Sequence, residues 1–458
     1  MTLLWTAEEL AEATGAPPPP VGVSGVSIDS RSLQPGELFV ALRAARDGHA
    51  FVADALAKGA ACAMVDHAPE GVAADAPLLR VPDTTEGLAA LGRAGRRRSA
   101  AGVVAVTGSV GKTTVKEMLR HGLSAIGPTH ASAASHNNRW GVPLTLARLP
   151  RTTRFAVVEI GMNARGEIAP LARMAAPQVA VITAIAAVHL GPLGSLEAIA
   201  EEKGDILEGL SPGGVAVLPQ DSPFFSRLAA RAAARGARVV GFGEGADATA
   251  RLKEVSLSPD GVSAVVELAG AHLPLRLAAP GRHMARNATA AIAAAAALGA
   301  DPGVFAAALA FFRPVEGRGR QERIRLPGGG EALLLDESYN ASPVAVRAAL
   351  SVLALTPAQR RVAVLGDMLE LGEAGPALHA DLAAEAAAAA DVVFCCGPLT
   401  RHLHEALPPG KRGGHWSDSA ALAAALPARL LPGDAVLVKG SLGSRMGVVV
   451  QALKETPR

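Results

Sequence analysis

The stretch "VAVTGSVGKTTVKEML", residues 104–119, sets Gly108, Ser109, Val110, Gly111, Lys112, Thr113 and Thr114 between a β-branched strand and a helix. That is the order of a phosphate cradle. Glycines let backbone N–H groups turn inward, and the following helix aims the positive end of its dipole at bound phosphate. Lys112 would then reach the terminal phosphates and Thr113 a Mg²⁺ ion. The common form of this loop holds four residues between its two glycines, whereas only Ser109 and Val110 stand between Gly108 and Gly111. A shorter class of nucleotide-binding loop is implied.

Other residues are placed for related chemistry. Glu159 closes the apolar run "FAVVE", where a carboxylate beside a phosphate loop can hold Mg²⁺ directly or through water; an acid merely emerging into solvent fits the same spacing. His189 follows "VAVITAIAAV" and would face the same crevice, since ligands of open α/β sheets sit beyond the carboxyl ends of the strands. Taken alone it reads as a satisfied strand-end histidine. Lys203 in "AIAEEKGDIL" reads alone as a solvated helix lysine. Asn287 and Asn340 read alone as capping or turn residues. "LLLDESYNASP" ends a buried strand with Asp336 and carries Tyr339, the only tyrosine; Asp367 in "VLGDMLELG" and Lys439 in "LVKGS" end two more strands. Polar groups gathered at strand ends point to a cleft.

The elements that must position these groups divide the chain in three. Residues 1–82 contain "GVSIDSRSLQPGELFVAL", a strand, a turn at Pro35 and Gly36 and a second strand, within a small α/β unit. A central region over 83–314 has near-continuously apolar strands at 102–107, 155–161 and 178–185, as buried parallel strands require. "GRGRQERIRLPGGG", 317–330, reads as a linker or a hairpin, and over 315–458 strands recur between Ala-rich helices as a doubly wound domain. The fold class is α/β in three domains: a small N-terminal one, a central phosphate-loop domain with a parallel sheet, and a Rossmann-like C-terminal one.

Composition narrows the class. A length of 458 residues exceeds what one core serves. A net charge of +2 steers nothing strongly, and aromatics at 3% offer little for base stacking, so no nucleic-acid partner is expected. The compact basic run Arg96, Arg97 and Arg98 reads as a solvated loop. Cys62, Cys395 and Cys396 are too few for a disulfide framework or a zinc site, which fits a reducing cytoplasm. The N-terminus lacks the pattern of a signal peptide. The apolar helix at 288–300 is shorter than the roughly 20 residues of a membrane span, so no membrane insertion is expected and the helix reads as core.

In this order, "DSRSLQPGELFVAL", "TGSVGKTTVKEML", "HNNRWGVPLTLARL", "VVEIGMNARGEI", "VHLGPLGSLEAIAEEKGDI", "PGRHMARN", "DESYNASP", "VLGDMLELG" and "VLVKGS" resemble the Mur ligases of peptidoglycan synthesis over nearly the whole chain. The short loop TGxxGK[ST] is the form that Mur ligases share with folylpolyglutamate synthases. The match is best to the member that adds D-alanyl-D-alanine to UDP-N-acetylmuramoyl-tripeptide. The member adding the third amino acid shares the early motifs, but its Asp-Asn-Pro-Arg type motif is absent here. Folylpolyglutamate synthase lacks the uridine-binding first domain that, by the resemblance, residues 1–82 would supply.

The resemblance implies ATP as phosphoryl donor and two Mg²⁺ ions. Lys112 would bind the transferred phosphoryl group, Thr113 and Glu159 the first metal, His189 the second, and Lys203 would be carbamylated to serve as an anionic ligand. His283 and Asn287 would lie near adenine and Asp336 near the ribose, with Arg318, Asn340 and Lys439 in the interdomain cleft. Asn137 and Asn138 would contact the acceptor peptide region. Ser30, Arg31, Asp47, Gly48 and His49 would meet the uridine end. His136 departs from the family pattern, and the doublet "GRGR" leaves Arg318 or Arg320 as the functional arginine. A cytoplasmic monomer acting on these small substrates is expected.

Overall fold

The computed structural model describes residues 2–133, 135–188 and 190–455. Three sheets follow one another along the chain. The first has four parallel strands, Gly25–Ser27, Glu37–Val40, Cys62–Val65 and Leu78–Arg80, in sequence order. Its core also takes in Leu88, Leu91, Leu144 and Ala147, from helices that lead into and belong to the central region.

The second sheet has nine strands, with Gly102–Thr107 between Val179–Ile182 and Phe155–Glu159. The strand Phe155–Glu159 is buried at every residue, as expected of a parallel strand covered on both faces. Three strands, Ala250–Ser258, Gly261–Leu268 and Ala271–Leu277, extend the sheet as an antiparallel meander. The Ala-rich helix Arg282–Ala297 packs into the core beneath the sheet, its small side chains allowing close approach. The third sheet has six strands. Its first two, Arg320–Arg325 and Glu331–Glu337, pair antiparallel, so the segment 317–330 forms a hairpin rather than a linker.

The arginine run is not a solvated loop. It ends the helix Thr84–Arg97, and Arg96 donates to the carbonyls of Ala175 and Ala176 at 2.8 and 2.9 Å, closing the C-terminus of the helix Ile168–Ala175. Arg98 lies over the Trp5 ring, 3.5 Å from its centroid, and donates to the Leu4 carbonyl. Partial burial pushes its guanidinium down to about 10. A guanidinium carries five donors in a fixed fork, so it can tie several backbone carbonyls that a solvated cation would leave bare. All three cysteines are free and buried. Among the described residues no helix is long and apolar enough to cross a membrane.

Candidate active site

Three features of the sequence shape the phosphate loop. Gly108 has φ +144°, and a Cβ there would lie 2.0 Å from the Thr183 hydroxyl. Gly111 has φ +85° and would meet the Asn287 amide at 2.7 Å. Both positions need glycine. Ser109 straps the loop to the segment after Val179–Ile182, donating to the Ala186 carbonyl and accepting from the Ala186 N–H, both at 3.0 Å. The helix Lys112–Ser124 starts with no side-chain cap, so its first N–H groups stay available to an anion.

Around the loop stand the predicted charges. Thr113 donates to Glu159 Oε2 at 2.9 Å, and Asn137 Nδ2 donates to Glu159 Oε1 at 2.7 Å. Lys112 Nζ donates to the Gly108 carbonyl at 2.7 Å. Burial pushes its ammonium below the ordinary lysine value, the Glu159 carboxylate opposes that shift, and Arg318 adds to it. A phosphate entering here would supply the counter-charge this lysine lacks.

A cleft of about 780 Å³ opens over the loop, between the second and third sheets. Its walls include Ser109 to Thr114, Asn137, Glu159, His283 and Asn287 on the central side, and Arg318, Asn340 and Lys439 on the C-terminal side. Burial pushes His283 below the ordinary histidine value, favouring the neutral imidazole. Arg318 lies 4.1 Å from the centroid of Tyr339 and donates to Ser135 at 3.1 Å, across the cleft. Arg320 is an exposed partner of Glu316, so of the two arginines only Arg318 lines the cleft. The backbone of Gly191 also crosses over, donating to the Glu370 carbonyl at 2.9 Å.

Other predicted residues lie elsewhere. Asp336 is buried off the cleft, its oxygens accepting from Gly317 N, Ser338 N and the Ser338 hydroxyl. Glu337 lines the cleft instead and pairs with Lys439 at 3.3 Å. A rule of sheets could have found it. Glu337 and Lys439 are register partners in neighbouring parallel strands and so share a face, while Asp336 points to the other. Asn138 does not line the cleft; its side chain accepts from Trp140 N and Gly141 N where the helix Gly141–Ala147 begins. Asp367 accepts from Leu399 N and Thr400 N, starting another helix. His189 lies outside the described residues.

Lys203 is fully buried rather than solvated. Among the described residues its Nζ has no hydrogen-bond partner. Burial, and then the charge of Lys112, hold it well below the ordinary lysine value, with Glu202 and Glu167 pulling the other way. Both causes favour the neutral amine, which is the nucleophilic form of a lysine. Its neighbour Glu202, missed in the sequence, is what fixes it. The Glu202 carboxylate accepts from Gly166 N at 2.7 Å and from Glu167 N and Ile168 N at 3.1 Å, sealing the N-terminus of Ile168–Ala175. Glu202→Gln would set an NH₂ group against one of these donors. We expect a loss of about 2 kcal/mol in denaturant unfolding, and an unchanged midpoint and slope would contradict this capping role.

The residues implied near uridine form a separate group. Gly48 allows its chain to pass Leu42, since a Cβ would come within 2.7 Å of that residue's backbone. Asp47 Oδ1 accepts from His49 N at 2.9 Å and lies 2.7 Å from His49 Nδ1, while His49 Nε2 accepts from Asp66 N at 3.2 Å. That pattern fixes the proton on Nδ1. Asp47, His49 and His67 offer ligand atoms within 4.8 Å of one another, but both nitrogens of His49 are occupied in this way. Arg31 forks onto Asp29, whose carboxyl its hydrogen bonds hold down at about 2. The Ser30 carbonyl accepts from Lys58.

A short phosphate loop on a parallel sheet, a strand-end glutamate and a second α/β wall across the cleft define an ATP-dependent ligase of three-domain type. The chain belongs to the Mur ligase family. Residues 22–96 match the Mur ligase family catalytic domain, 106–295 the Mur ligase middle domain and 319–442 the Mur ligase glutamate ligase domain. It is 38% identical over 447 residues to the UDP-N-acetylmuramoyl-tripeptide–D-alanyl-D-alanine ligase of Synechocystis, covering 95% of this chain and 93% of that one. A crystal structure of MurF from Acinetobacter baumannii superposes with a TM-score of 0.86 at 31% identity, over 98% of this chain and 99% of that one. MurF ligase from Thermotoga maritima, solved in complex with ADP, superposes with a TM-score of 0.78 at 26% identity over 94% and 97%.

Proposed function

We propose that this protein joins D-alanyl-D-alanine to UDP-N-acetylmuramoyl-tripeptide, converting ATP to ADP and phosphate, in the cytoplasm where these soluble precursors are made. One observation carries the reading. The phosphate loop and the Thr113–Glu159 pair face Arg318, Asn340 and Lys439 across one cleft, in a chain alignable end to end with ligases of that name.

In this reaction the terminal carboxylate of the tripeptide attacks the γ-phosphorus of ATP, and the bond to the β-phosphate oxygen breaks, giving an acyl phosphate and ADP. The amine of the dipeptide then attacks the activated carbonyl, loses a proton, and phosphate leaves. No protein nucleophile is required. Lys112 and the uncapped N–H groups hold the phosphate chain, and Arg318 and Lys439 approach the same anions from the C-terminal side. A low-dielectric cleft strengthens these contacts and keeps water from the acyl phosphate.

The Thr113 hydroxyl and Glu159 carboxylate are hard oxygen donors beside the phosphate loop, a set that fits Mg²⁺. When bound, the metal screens the repulsion between carboxylate and phosphate. The Lys203 amine, with no hydrogen-bond partner among the described residues, fits carbamylation: it adds to CO₂, loses a proton and becomes a carbamate whose oxygens suit a second cation, with His189 assigned there by resemblance. His283 and Asn287 would face adenine. The ribose falls to the Asp336–Glu337 edge, where Glu337 is the carboxylate on the cleft. The groups around Arg31 and His49 would take the uridine end. Phosphate release from Mg-ATP should need tripeptide nucleotide and dipeptide together. Turnover instead with the UDP-muramoyl-dipeptide and a diamino acid would assign the preceding step.

A further inference from the structure

The resemblance gives Asn137 to the acceptor peptide, yet its side chain is already committed. Its Nδ2 donates to Glu159 Oε1 at 2.7 Å, while the other carboxylate oxygen accepts from Thr113 at 2.9 Å. The residue is clamped from behind. Its carbonyl accepts from Gly161 N at 2.8 Å, and a Cβ at Gly161 would lie 2.7 Å from the Asn137 amide. Glu159 itself is held by its own N–H, which donates to the Ser132 hydroxyl at 3.1 Å.

The two partners of Glu159 differ in kind. A threonine hydroxyl can donate or, after rotation, present its lone pairs, whereas an amide NH₂ only donates. A cation arriving between Thr113 and Glu159 can turn the hydroxyl round. It cannot turn Nδ2 round, and the opposite amide rotamer would press an oxygen against the carboxylate. Oε1 therefore remains with Asn137, and Oε2 is left for the metal. We infer that Asn137 is a positioning residue that fixes the Glu159 carboxylate so that Oε2, beside Thr113, is the oxygen offered to a divalent cation. This rests on the metal-dependent ligase reading above, but on no particular peptide substrate.

The test measures metal binding directly. Mn²⁺ is titrated by electron paramagnetic resonance into the full chain saturated with a non-hydrolysable ATP analogue. Asn137→Ala should weaken Mn²⁺ about tenfold or more, as loss of a partner that orients a metal ligand typically does. Asn137→Asp keeps the shape and replaces the donor by a second carboxylate. Its melting midpoint in EDTA should fall below that of the wild type, and Mn²⁺ should restore it. Wild-type Mn²⁺ affinity in Asn137→Ala, with a raised KM for the dipeptide, would give the residue to the acceptor and overturn the inference. An Asn137→Asp chain that melts like wild type in EDTA would overturn it too. Failure of the peptide substrates to turn over while Asn137→Ala still loses Mn²⁺ would reject the proposed reaction and leave this role standing.

Discussion

Lys112→Ala is expected to abolish phosphate release, by on the order of 10³-fold or more, while the first domain still binds a uridine nucleotide. Removing one preorganised group aimed at developing charge already costs about 10²–10³ in rate, and in the proposed reaction Lys112 would also hold the ground-state phosphates. Its Nζ rests on the Gly108 carbonyl, at the start of the loop it would serve. The residues assigned to uridine lie in segments that flank strands of the first sheet, whereas the phosphate loop follows a strand of the second. Isothermal titration with a uridine nucleotide alongside a phosphate-release assay separates the two effects. Parallel loss of both would mean that the variant has misfolded. Retained turnover would remove Lys112 from the reaction.

Lys203→Ala is the second large effect. A buried amine with no partner among the described residues is costly to keep unless it becomes something else. As a carbamate it would gain oxygens that cations can pair with, and its loss should lower turnover on the order of 10²-fold or more. The alanine leaves a void where the lysine stem lay, so acetate or formate should enter it and partly restore activity. Full activity without added carboxylate would exclude the carbamate. Inactivity with an unchanged fold and no rescue at any carboxylate concentration would reduce Lys203 to a packing role.

The local parts of this site were legible in the sequence. A phosphate loop is written in consecutive residues, and buried parallel strands show as apolar runs, so Gly108 to Thr113, Glu159 and the strand-end Lys439 could be read directly. What depends on tertiary packing could not. The polar sequence around Lys203 looks like any solvated helix, and its burial follows from Glu202 pinning that helix to the N-terminus of another. Asp336 and Glu337 both sit at the end of one strand, and only pairing with the strand of Lys439 decides which faces the cleft. Arg96 and Arg98 read as solvent charge because the carbonyls and the Trp5 ring they meet lie far along the chain. In each case the deciding partner is remote in sequence.

The most direct measurement follows atoms from substrate to product. UDP-N-acetylmuramoyl-tripeptide labelled with ¹⁸O in its terminal carboxylate is incubated with Mg-ATP and D-alanyl-D-alanine, and both the nucleotide product and the phosphate are weighed by mass spectrometry. The account predicts a nucleotide heavier by one dipeptide residue and one ¹⁸O transferred to phosphate. A dipeptide-free nucleotide, or a pentapeptide product whose phosphate carries no label, would contradict it.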